Sequence, residues 1–153
     1  HEVFSKEIAV TIPADKLNGT FAYSAEKPED QGKLTYDVTS IEKRKEGLDL
    51  KTALVWKDAT AAENKIWPEA AENIYNNNTP MTIYGFSVEY TMEEGANNGS
   101  FESTITDGVL KLTTTAAEWS VSSKPMEVKV TVTPKSPWGA MEAKTVTVTV
   151  PAW

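Results

Sequence analysis

Along most of this chain, apolar and polar residues alternate with a period of two. In VKVTVTP at 128–134, Val128, Val130 and Val132 alternate with Lys129, Thr131 and Thr133, and KTVTVTVP at 144–151 repeats the pattern through Val146, Val148 and Val150. Such runs predict strands with one buried and one wet face. Branching at Cβ suits Val and Thr to a pleated surface. Residues 134–143, PKSPWGAMEA, break the ladder with two prolines and a glycine and predict the connection of an antiparallel pair.

Earlier segments follow the same rule. Residues 3–12 alternate through Ile8, Val10 and Ile12; 20–25 put Phe21 and Tyr23 on one face; 33–41 do the same with Leu34, Tyr36 and Val38. Residues 50–56 predict a further strand, and 82–92 predict one whose core face carries Tyr84, Phe86, Val88 and Tyr90. EEGANNGS at 93–100 is turn material. Thr106-Asp107-Gly108-Val109 predicts a tight hairpin between strands at 100–105 and 109–115, because Asp-Gly suits positive φ. Residues 116–123 fit a bulged edge. Eight or nine short strands with Gly-, Pro- and Asn-rich loops, and no βαβ rhythm, predict one all-β domain over 1–153. A two-sheet sandwich of immunoglobulin-like size fits best, with a closed barrel as the alternative. EIAVTIPA at 7–14 and KTVTVTVPA at 144–152 read as equivalent terminal strands, each ended by a proline.

Residues 58–80 depart from this rhythm, and a short helical insert is expected around 59–76. Pro68 suits the first helical position, Glu69 the first turn, and Asn76-Asn77-Asn78 the end. Ala70, Ala71, Ile74 and Tyr75 fall near one face, with Trp67 at the entry. On the simpler reading, this aromatic side lids the core. The functional reading makes Trp67 and Tyr75 a stacking surface, with Asn76 and Asn78 supplying amides that orient a sugar ring. These four residues are the ligand-binding candidates.

Composition narrows the chemistry. The formal net charge of −7 argues against nucleic acid as a partner. The basic run Glu42-Lys43-Arg44-Lys45-Glu46 carries its own acids and reads as a solvated turn or strand end. There is no cysteine, so thiol catalysis, disulfides and thiolate metal sites are excluded. The one histidine is residue 1, a poor place for a general base. Glu89 and Glu93 are the carboxylate pair to consider for hydrolysis, although two unrelated surface acids are the simpler account. Glu26, Glu29 and Asp30 cluster in a Pro-containing loop, which needs no ion if its charges stay in water. No phosphate-loop or calcium-loop pattern occurs, so no cofactor and no metal are expected. Nor does any stretch reach the roughly 20 apolar residues of a transmembrane helix. The chain opens on His1, as a fragment of a longer protein would.

Thr- and Val-rich strands without cysteine, ending in Thr145 to Pro151 beside Val128 to Pro134, resemble the immunoglobulin-like modules of large bacterial surface or secreted proteins. The resemblance implies an extracellular, non-catalytic spacer or display module joined to neighbouring domains. A carbohydrate-binding or adhesive module, meeting glycan or another surface protein, and a pilus-like assembly subunit are the alternatives. The insert departs from a minimal module of that kind.

Overall fold

A computed structural model describes residues 3–9, 19–58, 63–64, 67, 85–95, 101–114, 124–137 and 139–153. Among them the fold is all-β, with several sheets and one short α-helix. The largest sheet is built on β9 (Met126–Ser136). β6 (Ser87–Glu94) pairs along one side of it and β11 (Lys144–Val150) along the other, both antiparallel. β2 (Lys33–Thr35) runs parallel to β11 at the far edge. A second sheet has the order β1 (Gly19–Tyr23), β4 (Leu54–Asp58), β5 (Glu63–Asn64). The third joins β3 (Leu48–Asp49), β8 (Val109–Thr114) and β7 (Phe101–Thr106).

The valine pattern sets the core. Val128, Val130 and Val132 of β9 and Val146, Val148 and Val150 of β11 are all fully buried. Register places Val146 opposite Val130 and Val148 opposite Val128, so one face of the pair is dry along its length. Phe21 and Trp56 face each other across β1 and β4, and both are buried. Leu110 and Leu112 of β8 complete one continuous apolar cluster with residues of the other two sheets. Tyr23 ties two sheets together, its hydroxyl donating to the Thr145 carbonyl at 3.1 Å.

The Asp-Gly turn is present as expected. Asp107 and Gly108 both take positive φ, 51° and 75°, as a tight hairpin between twisted strands requires. That turn also anchors a neighbour. Leu50 N–H donates to Gly108 O at 2.9 Å and Lys51 Nζ to Asp107 O at 2.9 Å.

Several expectations need correction. Residues 3–9 form no strand and are exposed, while residues 10–14, the rest of the N-terminal segment likened to 144–152, lie outside the described residues. Leu50–Ala53 is a 3-10 turn, and the strand begins only at Leu54. Asp49 explains this, because its carboxylate accepts from Lys51 N–H at 3.0 Å and caps the turn. Glu93 and Glu94 extend β6 rather than open a loop. β9 continues past Pro134 to Ser136. The ladder to β11 stops at Val132–Lys144 and resumes with β10 (Gly139–Ala140) at Lys135–Ala140. Residues 141–143 there oppose only 133–134, a bulge that spares the proline a missing N–H.

Among the described residues there is also a short helix outside the expected insert. It is α1 (Ile41–Glu46), the basic run itself. Ser40 caps it by accepting from Lys43 N–H at 3.1 Å, and Gly47 ends it. Within the span 59–76, Glu63 and Asn64 are extended and pair with β4, and Trp67 lies outside regular structure. The rest of that span falls outside the described residues, as do residues 10–12, 82–84 and 115–123.

Val130→Ala should cost about 1–3 kcal/mol in urea unfolding, because a fully buried side chain loses its contacts and leaves a void. Thr131→Ala, on the opposite face of the same strand, should stay within about 0.5 kcal/mol. Equal losses would mean that the burial pattern does not control stability.

Candidate functional site

Of the four ligand-binding candidates, only Trp67 lies within the described residues. Its ring is buried, at 8% exposure, and stacks at 4.6 Å and 45° on Phe21. Phe21 in turn meets Trp56 edge-on at 5.2 Å. Offset and edge contacts of this kind are favourable arrangements of aromatic quadrupoles. Trp67 thus sits in the core and presents no open face, as the lid reading requires. Tyr75, Asn76 and Asn78, like Trp119 and Trp138, lie outside the described residues.

An open cleft lies at the far end of β2, about 640 Å³ in volume. Residues 35–39 form one wall, and Arg44 and residues 151–153 the other. The walls are held by a small network. Tyr36 is buried to 1% exposure, its hydroxyl donating to the Arg44 carbonyl at 2.7 Å and accepting from Leu112 N–H at 3.4 Å. Burial pushes the Tyr36 phenol above its ordinary pKa, partly offset by the Leu112 N–H. Arg44 Nε donates to Val38 O at 2.9 Å, and its guanidinium lies 5.7 Å from the Trp153 ring centre. Trp153 meets Phe101 edge-on at 5.2 Å. On the rim, Asp37 Oδ1 accepts from the Thr39 hydroxyl at 2.6 Å and from Thr39 N–H at 3.0 Å. Those two bonds hold the Asp37 carboxyl below the usual carboxylate pKa.

Arg44 is the residue that its sequence setting conceals. A flanked charge run reads as solvated, and Lys43 obeys, its pKa raised by a 2.7 Å ion pair with exposed Glu46. Arg44, one residue on, turns inward instead. Tyr36 and Val38 do show in the alternation, but nothing in their spacing points to Arg44 or to Trp153.

The wet face of the main sheet is different in kind. Thr91, Thr131 and Thr145 stand side by side across β6, β9 and β11, next to the row Glu93, Lys129, Thr147 and Lys33. Glu89 pairs with Lys135 at 3.4 Å on this face. Glu89 and Glu93 are four residues apart on one strand, about 13 Å at the usual rise. The carboxyls of a glycoside hydrolase stand about 5–9.5 Å apart around a bond. Two exposed glutamates at strand spacing on an open face do not provide that enclosure. Glu26, Glu29 and Asp30 are exposed, with Pro28–Asp30 in a 3-10 turn. No group of three or more His, Cys, Asp or Glu among the described residues is placed to hold a metal ion. No helix there is long and apolar enough to cross a membrane.

No family model matches the chain, and no curated protein or solved structure matches it.

Tyr36→Phe should cost about 1–2 kcal/mol, because the Arg44 carbonyl and Leu112 N–H lose a shared partner. The wild-type contribution of this phenol is present below its unfolded pKa of about 10 and lost as pH rises through the higher folded value. Alkaline destabilisation above about pH 10 should therefore shrink in Tyr36→Phe, as read by urea midpoints across pH. The Asp37 carboxyl should titrate by NMR below about 3.9. Its contribution is present above that value and lost as pH falls through the folded pKa, and Asp37→Asn should remove that pH dependence.

Proposed function

We propose that this chain is a non-catalytic structural module, a spacer or display unit of a large bacterial extracellular protein, built as an immunoglobulin-like sandwich. The observation that carries the reading is the anchoring of the last strand and its exit. β11 is flanked on both sides, by seven residue pairs with β9 and three with β2. Beyond Pro151, Trp153 packs on Phe101 and under Arg44, so the chain leaves the fold from a fixed point. A pull on that exit loads whole ladders together rather than opening one pair at a time. This is the mechanical property a spacer needs.

The sandwich reading is supported by a change of partner. The chain pairs with β4 through β1, then crosses to run beside β11 through β2. Strands that pass between sheets in this way bound stacked layers. The non-catalytic part rests on the lone His1, the absence of cysteine and the open setting of Glu89 and Glu93. The bacterial and extracellular part rests on the resemblance of the cysteine-free Thr-Val strands.

Two measurements test this reading. A broad hydrolase screen should give no turnover, and turnover that vanishes in Glu89→Gln or Glu93→Gln would refute it. Pulled from its C-terminus in single-molecule force spectroscopy, the domain should unfold in one cooperative step. Gradual peeling at low force would show that β11 is not the anchor.

A further inference from the structure

Three of the four large apolar side chains that stand exposed among the described residues fall within residues 3–9. Val3 and Phe4 are each 90% exposed and Ile8 79%. Scattered exposed hydrophobics are ordinary, but three within one short segment mark a surface meant for burial. In an extended chain Phe4 and Ile8 share one side, with Lys6 between them, and Val3 lies on the other. Among the described residues nothing pairs with the segment.

A matching vacancy exists at β2. This strand ends its sheet, and its described pairing is with β11 alone. Gly32 O accepts from Thr147 N–H at 2.7 Å and Tyr36 N–H donates to Thr149 O at 2.9 Å. Those even positions turn their main-chain groups toward β11, so alternation turns those of Lys33 and Thr35 outward. Both residues are exposed. The same edge continues into the cleft beside residues 35–39, whose 640 Å³ has room for a large apolar side chain.

We propose that residues 3–9 of one chain add as a strand beside β2 of a second copy, with an apolar side chain of the segment entering that cleft. Main-chain bonds to Lys33 and Thr35 supply the hold, and the seated side chain sets the register. Donor and acceptor are different surfaces, so the contact is heterologous and links copies head to tail unless two chains exchange segments and close as a dimer. This goes beyond a spacer role, giving the module a way to assemble with its own kind.

The absence of cysteine permits a direct test in the full chain. A Thr35→Cys chain is mixed in turn with chains carrying one cysteine at each position from 3 to 9, and disulfide-linked pairs are identified by mass. The proposal expects links between copies whose yield alternates with a two-residue period. It also expects Ile8→Asp to weaken self-association in sedimentation velocity roughly tenfold or more, without moving the unfolding midpoint. Three results would overturn it: yields without period, a chain bearing both cysteines that closes the link within a monomer, or a wild-type chain still monomeric at about 1 mM. None of these outcomes depends on whether the chain is catalytic.

Discussion

Strand β9 has a neighbour along both edges, so its inner face reaches water only if the core opens. That face carries Met126, Val128, Val130, Val132 and Pro134, all buried. A one-residue slip of β6 or β11 against it would turn every apolar side chain of that strand toward solvent. The rest of the sheet follows from this restriction. β11 must present Val146, Val148 and Val150 inward, and its outer edge then positions β2. β2 leads directly into Tyr36 and Val38, which line both the core and the cleft.

At the cleft the constraint passes from packing to hydrogen bonding. Tyr36 is the hinge between the two, because its ring belongs to the core while its hydroxyl reaches the Arg44 carbonyl on α1 and the Leu112 amide on β8. A six-residue helix is too short to be stable alone. It persists here because Ser40 caps it, Tyr36 holds its carbonyl and Arg44 is tied to Val38. The same arginine faces Trp153, so the helix also fixes the segment that follows β11. A buried phenol, a cap and an inward arginine thereby turn a surface charge run into the anchor of residues 151–153.

The two faces of the main sheet divide the roles. The inner face holds the domain together. The outer face carries rows of threonines with interspersed Lys and Glu, and exposed pairs there, such as Glu89 with Lys135, add little to stability. Among the described residues, apolar exposure concentrates instead in residues 3–9.

Much of the framework was legible in the residues themselves. Alternation identified the inward valines of β9 and β11, the Phe21 and Tyr36 faces and the half-buried side of β6. Asp107-Gly108 located its hairpin, because a turn with positive φ at both positions selects those residues locally. What alternation does not carry is partnership. Residues 3–9 have a strand-like pattern and Leu50–Ala53 an apolar one, yet the first has no strand partner among the described residues and the second is diverted by the Asp49 cap. The candidate site was less legible still. In the sequence Trp67 read more simply as a core lid than as a platform, but the residue it packs on, Phe21, was not legible there. Arg44 and Trp153 lie more than a hundred residues apart and meet through the fold. Period and turn chemistry are properties of neighbouring residues, so the sequence alone determined them. Which strand gains a neighbour, and which charged side chain turns inward, depends on surfaces brought together from distant parts of the chain, and only the tertiary structure decided it.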